Sequence, residues 1–435
     1  MRSYYSNSKQ KYFKSFFTLT WLFLLFFAPK IGDAQQTILL KTCIDSAVAN
    51  YPLVKQKALF AKQLETQYDQ VNKKNLPQVQ LNGKATYQNE VISLNLKIPG
   101  FDVPQLSKDQ YRFSLDVQQS IYKGNITQKQ KTLYNTQQDI ALKQLEIELY
   151  QLKKNVVELF FGLMFNTQQT NIIKTYEKQL DQRLEEFQSL VNNGMILQST
   201  LDGFKLEKIK LLQQLIEVKT DRIMLVKNLS ELSGIALDTS MVFAADEYEM
   251  VNNKIQQRPE MQLMDLNQKQ LEVGKTLVGS KYQPMVFAYG TAGYGRPGFN
   301  YLTDQFSDFY MVGIGFSWNI WSWQEGKREK QLLDINSKII DTQKESFLKN
   351  LQVGLNTYEM EMKKQSDLIV QDKEIIEIQK RIAATSNQQI KNGVLTASQY
   401  ITELEKVQQY ELNYEIHQLK LKLAKVNYLW AMGIL

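Results

Sequence analysis

The single histidine, His417, lies in "YEIHQLKLKL", and the single cysteine, Cys43, lies far upstream in "KTCID". One imidazole and one distant thiol form no triad, metal cluster or acid–base pair. A lone cysteine also excludes an internal disulfide and a thiolate zinc site. Leu40-Lys41-Thr42 ahead of Cys43 does not suit lipoprotein processing. Gly290, Gly293 and Gly295 in "YGTAGYG" fall inside a strand pattern with no helix following, so they lack the geometry of a phosphate cradle. No catalytic residue, metal or cofactor is expected. What remains is contact chemistry at two glycine turns, "VNNGMILQST" and "IKNGVLTASQ". Met195, Ile196 and Leu197 follow Asn193-Gly194; Val394, Leu395 and Thr396 follow Asn392-Gly393. Apolar side chains beside a glycine at an exposed tip mark a surface for a partner, unless the turn merely packs on its neighbour.

Long helices must carry these turns. Leu145, Leu149, Leu152, Val156, Leu159 and Leu163 alternate steps of four and three, and Ile173, Tyr176, Leu180, Leu184, Phe187 and Val191 continue the seam. From Gly124 to Val191 that helix spans ~100 Å at about 1.5 Å per residue. A return helix of ~36 residues covers about half this length, and residues 43 to 76 supply a helix of ~34 for the other half.

Between the helices lie strands. In "YMVGIGFSWNI" the bulky residues Tyr310, Val312, Ile314, Phe316, Trp318 and Ile320 alternate with small or polar ones, and "YRFSLDVQQSI", Tyr111 to Ile121, repeats the pattern 199 residues earlier. Tyr111/Tyr310, Gly194/Gly393 and Gly234/Gly433 share that offset, so the chain is written twice. Residues 35–234 form the first repeat, with strands at ~78–88 and ~110–122 and a tip at ~191–200. A connecting segment spans 235–258, and 259–435 is the second repeat, with strands at ~285–295 and ~309–321 and a tip at ~390–398. Strands of about 9 to 11 residues with one apolar face are long enough to cross a bilayer in a barrel. Lys84, Arg112 and Asp116 on the other face suit a wet lumen. Tyr87, Tyr111, Tyr294, Tyr310, Trp318 and Trp321 suit the aromatic girdles at the two membrane interfaces. Four strands cannot close a barrel, so several chains must share one, and eight, twelve or sixteen strands would need two, three or four chains. The competing reading is a four-stranded sheet packed on helices in a soluble domain.

Residues 1–34 read as a secretory signal: Arg2, Lys9, Lys11 and Lys14 precede an apolar run from Phe16 to Ala28, then Gly32-Asp33-Ala34. Removing it takes five basic residues and one acid from the +7 charge and leaves +3, which argues against a nucleic-acid partner.

The order helix, strand, strand, long helix, N-G turn, helix, written twice behind a signal, resembles the TolC family of outer-membrane efflux proteins. The resemblance rests on the order of elements over the whole mature chain. It implies a mainly α fold with long coiled-coil hairpins forming an α-barrel, and a homotrimer whose twelve strands share one β-barrel in outer-membrane lipid. Most of the chain would then lie in the periplasm. The implied function is a passive exit duct of a tripartite efflux or type I secretion system, with a periplasmic adaptor and an inner-membrane pump as partners. The tips would dock the adaptor, with Asn193, Gly194, Asn392 and Gly393 matching the family's turn. Thr200, Asp202, Gln399 and Thr402 occupy the constriction, where the family often carries acids; the near-absence of acids here implies closure by packing and neutral hydrogen bonds. A periplasmic coiled-coil scaffold without a channel is the alternative.

Overall fold

The computed structural model describes residues 37–92, 105–248 and 258–434. The expected signal, residues 1–34, and part of the connecting segment, residues 249–257, lie outside them. The chain opens with β1 (Thr37–Leu39) and α1 (Leu40–Asn50), followed by a 3-10 turn (Pro52–Lys55) and α2 (Gln56–Lys73). The continuous helix expected over residues 43–76 is thus two helices. Pro52 lacks an amide hydrogen and forces the preceding Tyr51 out of helical geometry, to ψ 133°. Then come β2 (Gln78–Tyr87), β3 (Asp109–Tyr122), α3 (Ile126–Asn192), α4 (Gln198–Ser233) and β4 (Val242–Ala244). The second repeat comprises α5 (Pro259–Lys281), β5 (Met285–Arg296), β6 (Ser307–Ser317), α6 (Glu325–Lys391) and α7 (Ala397–Met432).

The two long helices, α3 and α6, each have 67 residues, and the two return helices, α4 and α7, each have 36. Each long helix therefore extends ~100 Å and each return helix ~54 Å. The shortfall is made up by end-to-end abutment. Ser46 Oγ of α1 donates to the Ser233 carbonyl at the end of α4 at 2.8 Å. Arg258, just before α5, donates to the carbonyls of Trp430 (3.0 Å) and Ala431 (3.3 Å) at the end of α7. Arg258 is buried, ion-paired to Glu260 at 2.6 Å, and flanked by the rings of Tyr150 and Trp430.

At the first junction β1 pairs in parallel with β4, a two-stranded sheet in the segment read from sequence as irregular connection. Three-residue strands are too short for periodicity to reveal. Phe160, Phe161, Phe243, Leu229 and Cys43 fill the core beneath it. Burial pushes the Cys43 thiol up to about 11, so this thiol is unreactive at neutral pH.

The hairpins share a backbone and differ in their cores. On α3, Asn166, Ile173, Leu180 and Phe187 are buried at steps of seven. The α6 residues 199 positions later, Gln365, Asp372, Gln379 and Ser386, are buried too, and all four are polar. Ile173, Leu180 and Phe187 pack in one apolar cluster with Leu201, Phe204, Leu211 and Val218. By contrast, Asp372 faces His417 Nδ1 at 2.6 Å, and Gln379 Nε2 donates to Glu403 at 2.6 Å. The seam of the first hairpin is mainly apolar, with Asn166 as its one polar member donating to the Val218 carbonyl at 2.7 Å, whereas the matching seam of the second hairpin is polar throughout.

Candidate functional site: an unfinished sheet and two helical tips

Strands β2, β3, β5 and β6 form one antiparallel sheet in the order β2-β3-β5-β6. Its register puts Leu81, Leu115, Ala292 and Tyr310 on one rung and Val79, Val117, Gly290 and Val312 on the next, all on the same face. That face is bare: Val312 is 80% exposed and Tyr310 78%. No helix among the described residues covers it, so the face is not packed on the described helices as a sheet within a soluble domain would be. Among the described residues, both outer strands, β2 and β6, are unpaired along their outer edges.

Aromatic residues mark both ends of the bare face. Tyr87, Tyr111, Tyr294 and Tyr310 lie toward the loops, with Phe306 stacked on Tyr111 and Tyr294 at 6.2 and 5.6 Å. Trp318 and Trp321 lie at the helical end. Tyr310 and Trp318 are eight residues apart, about 27 Å at a strand's rise and roughly 21 Å of height at a barrel strand's tilt of about 40°, comparable with an apolar band of ~25 Å in outer-membrane barrels. The strand expected to reach residue 321 stops at Ser317. There Trp318 Nε1 donates to the Tyr282 carbonyl at 3.1 Å, and the chain enters α6 through Trp323 and Gln324, both at positive φ. Gly124 and Asn125 make the same left-handed step before α3.

The opposite face carries Lys84 beside Arg112, and Asp116, which accepts from Asn82 (2.6 Å), Ser114 (2.9 Å) and Thr291. In the second repeat this face is aromatic as well. The Phe309 ring lies across Gly293, where an added Cβ would come within 2.4 Å of it, and the Arg112 guanidinium sits 4.6 Å from that ring. The glycines of "YGTAGYG" thus include one that admits a ring across a neighbouring strand. The alternation in Tyr310–Ile320 places mostly small or polar residues on this face, and Phe309 lies just before that stretch.

The tips are matched Schellman turns. Met195 N donates to the Leu190 carbonyl and Gly194 N to Val191, both at 2.9 Å; Val394 N donates to Gln389 at 2.9 Å and Gly393 N to Ile390 at 3.1 Å. Gly194 (φ +69°) and Gly393 (φ +70°) have open space where a Cβ would stand, so backbone conformation alone calls for glycine. Met195, Leu197 and Val394 are 68%, 74% and 73% exposed, whereas Ile196 and Leu395 turn inward onto the cluster around Phe204 and Tyr400. Asn193 and Asn392 are the C-caps. Thr396 and Gln399 form a reciprocal capping box that starts α7.

Among the residues expected at a constriction, Gln399 is thus occupied by that cap. Asp202 accepts from Gln198 at 2.9 Å, Thr402 donates to the Ser398 carbonyl at 2.9 Å, and Thr200 is half-buried. Asp202, Gln399 and Thr402 are engaged locally, and no hydrogen bond or ion pair among the described residues joins any of the four to another.

Besides the apolar cluster around Phe204 and Tyr400, an ion pair that was not read from the sequence joins the two hairpins at the tip. Lys391 Nζ lies 2.5 Å from Glu186 Oε1, and Arg183 lies 2.7 Å from Glu186 Oε2. Partial burial would raise the Glu186 pKa, but hydrogen bonds from Lys391 and Arg183 outweigh it and hold this carboxyl below its ordinary value. Nearby, burial and the facing Glu207 push the Glu405 carboxyl upward. The only sequence signal was a basic residue directly before the Asn392-Gly393 turn, unreadable without knowing which acid faces it.

Among the described residues no helix is long and apolar enough to cross a membrane, and no group of three metal-ligating side chains occurs. No family model and no curated protein matches the chain in sequence. Solved structures do match it. Over 91% of its length it superposes on 85% of the Campylobacter jejuni CmeC outer membrane channel (TM-score 0.65, 15% identity). The same share superposes on 96% of the Vibrio cholerae outer membrane protein VceC (0.64, 11%) and on 88% of the Neisseria gonorrhoeae MtrE outer membrane channel in its open state (0.62, 12%).

Proposed function

From a chain with the fold of the TolC-like outer-membrane channels, we propose an exit duct: a homotrimer whose twelve strands close one β-barrel in the outer membrane above a periplasmic α-barrel. The observation that carries this reading is the unfinished sheet. In lipid, every unpaired backbone group along an edge costs several kcal/mol, so β2 and β6 need strands from sister chains. Apolar side chains on the helices ask for the same neighbours: α6 exposes Leu332, Ile335 and Ile339, and α4 exposes Ile209, Ile216 and Ile223. The bare apolar face would meet lipid, and the face with Lys84, Arg112 and Asp116 would line the lumen.

Export through such a duct needs no chemistry of its own. The exposed tip residues Met195, Leu197 and Val394 would meet a periplasmic adaptor and, through it, an inner-membrane pump of an efflux or secretion system. Closure at rest would come from packing and from the ring formed by repeated copies of Thr200, Asp202, Gln399 and Thr402, with Glu186–Lys391 tying the hairpins together. The polar seam of the second hairpin makes α6 and α7 the pair that yields.

Cell fractionation with planar-bilayer recording tests the duct. An SDS-resistant oligomer in the outer-membrane fraction that conducts supports it; a soluble periplasmic protein without conductance sinks it. For the tips, Gly194→Trp combined with Gly393→Trp should abolish export while the oligomer and its insertion persist. Export at the wild-type rate would remove the case for docking there.

A further inference from the structure

A cleft of about 490 Å³ opens between the two legs of the first hairpin where β4 crosses them. Lys174 of α3 and Lys219 and Arg222 of α4 converge on it beside Thr170, Asn171 and Thr239, and no acidic residue lines it. Arg222 is fixed in place. Its Nε donates to the Thr239 carbonyl, Nη1 to Thr167 Oγ1 and Nη2 to the Met241 carbonyl, each at 2.8 Å. All three acceptors are neutral, so the guanidinium is oriented without being neutralised, and two of its five N–H groups remain available. Burial presses its pKa down, with Asp238 opposing. Asp238, outside the lining, is itself turned onto the Ser240 amide and hydroxyl, both at 2.6 Å. Neither Lys174 nor Lys219 makes an ion pair or hydrogen bond among the described residues.

Three cations held together without a lining counter-charge repel one another, and a fixed guanidinium fork matches two oxygens of one planar or tetrahedral anion. We propose that this cleft binds an oxyanion, a phosphate or carboxylate group carried on a polar body small enough for the cavity. Its volume falls in the range of small-molecule sites. Thr167 lies about forty residues along α3 from the strand end, roughly 60 Å at 1.5 Å per residue, so no lipid headgroup reaches it if the sheet spans the membrane. That leaves a free solute or a carboxylate borne on the cell-wall polymer.

The test uses the full chain, purified in detergent. Calorimetric titration with inorganic phosphate probes the free source, and co-sedimentation with peptidoglycan probes the wall-borne one. Saturable binding to either at or below about 1 mM, weakened at least tenfold by Lys174→Ala with Lys219→Ala, supports the site and identifies its source. Both lysines are exposed, so the variant should keep its oligomeric state and conductance, which separates loss of this site from failure of the duct. Binding absent from both arms, or equally strong in the variant, overturns the proposal.

Discussion

At the scale of single residues, the groups that matter are charged pairs and turn positions, while the lone histidine and the lone cysteine serve structure. His417 faces Asp372 across two helices, and Cys43 lies in the core. Glu186 is the informative titrating group. Its folded pKa is depressed, so its contribution is complete above the unfolded value near 4.3 and is lost as pH falls through the lower folded value. The tip contact should therefore hold through the neutral and mildly acidic range and fail only below the ordinary carboxylate pKa. Glu405 has the opposite sign: its raised pKa favours the folded state at low pH and weighs against it once the carboxyl ionises. Glu186→Gln and Lys391→Ala should each raise leak conductance at pH 7 and cost about 1 kcal/mol or less, with no further loss when combined. Single-channel recording between pH 4 and pH 7 reads this, and additive leaks would show that the pair does not act as one contact.

At the scale of elements, the two hairpins have identical helix lengths and contrasting seams. Ile173 packs in an apolar cluster with Val218; at the corresponding positions of the second repeat stand Asp372 and His417. Replacing a buried polar pair by apolar residues of suitable volume is often neutral or stabilising by about 1–4 kcal/mol. Asp372→Ile with His417→Val should thus raise the thermal midpoint while slowing opening, read as lower export with unchanged adaptor binding. Asp372→Ile alone should destabilise, since it strands the imidazole. If the double variant exports at the wild-type rate, the polar seam has no part in gating. The seam was not read from the sequence, although Gln365, Asp372, Gln379 and Ser386 stand seven residues apart. Its inward direction was not legible, because a row of polar residues on a helix ordinarily faces water.

At the scale of the whole molecule, the question is what completes the sheet. Val312 is central on the bare face, and Asn82 lies on the opposite one. Val312→Arg should cost about 2–4 kcal/mol at the bilayer midplane and deplete the outer-membrane oligomer, whereas Asn82→Arg should leave assembly intact and change ion selectivity. Equal tolerance of both substitutions, judged by the oligomer recovered from membranes, would mean that the face does not meet lipid.

Alternation in Tyr111–Ile121 and Tyr310–Ile320, the heptads from Leu145 onward, and glycines that must take positive φ were readable because each follows from local periodicity or local backbone sterics. The doubled order of these elements was enough to suggest the fold. Only the tertiary structure decided which charges meet, that β1 finds β4 some two hundred residues away, that Phe309 lies over Gly293, and that Lys174, Lys219 and Arg222 share one cleft. Those are pairings between distant segments, set by how helices abut and strands register, and no local pattern encodes a partner's position.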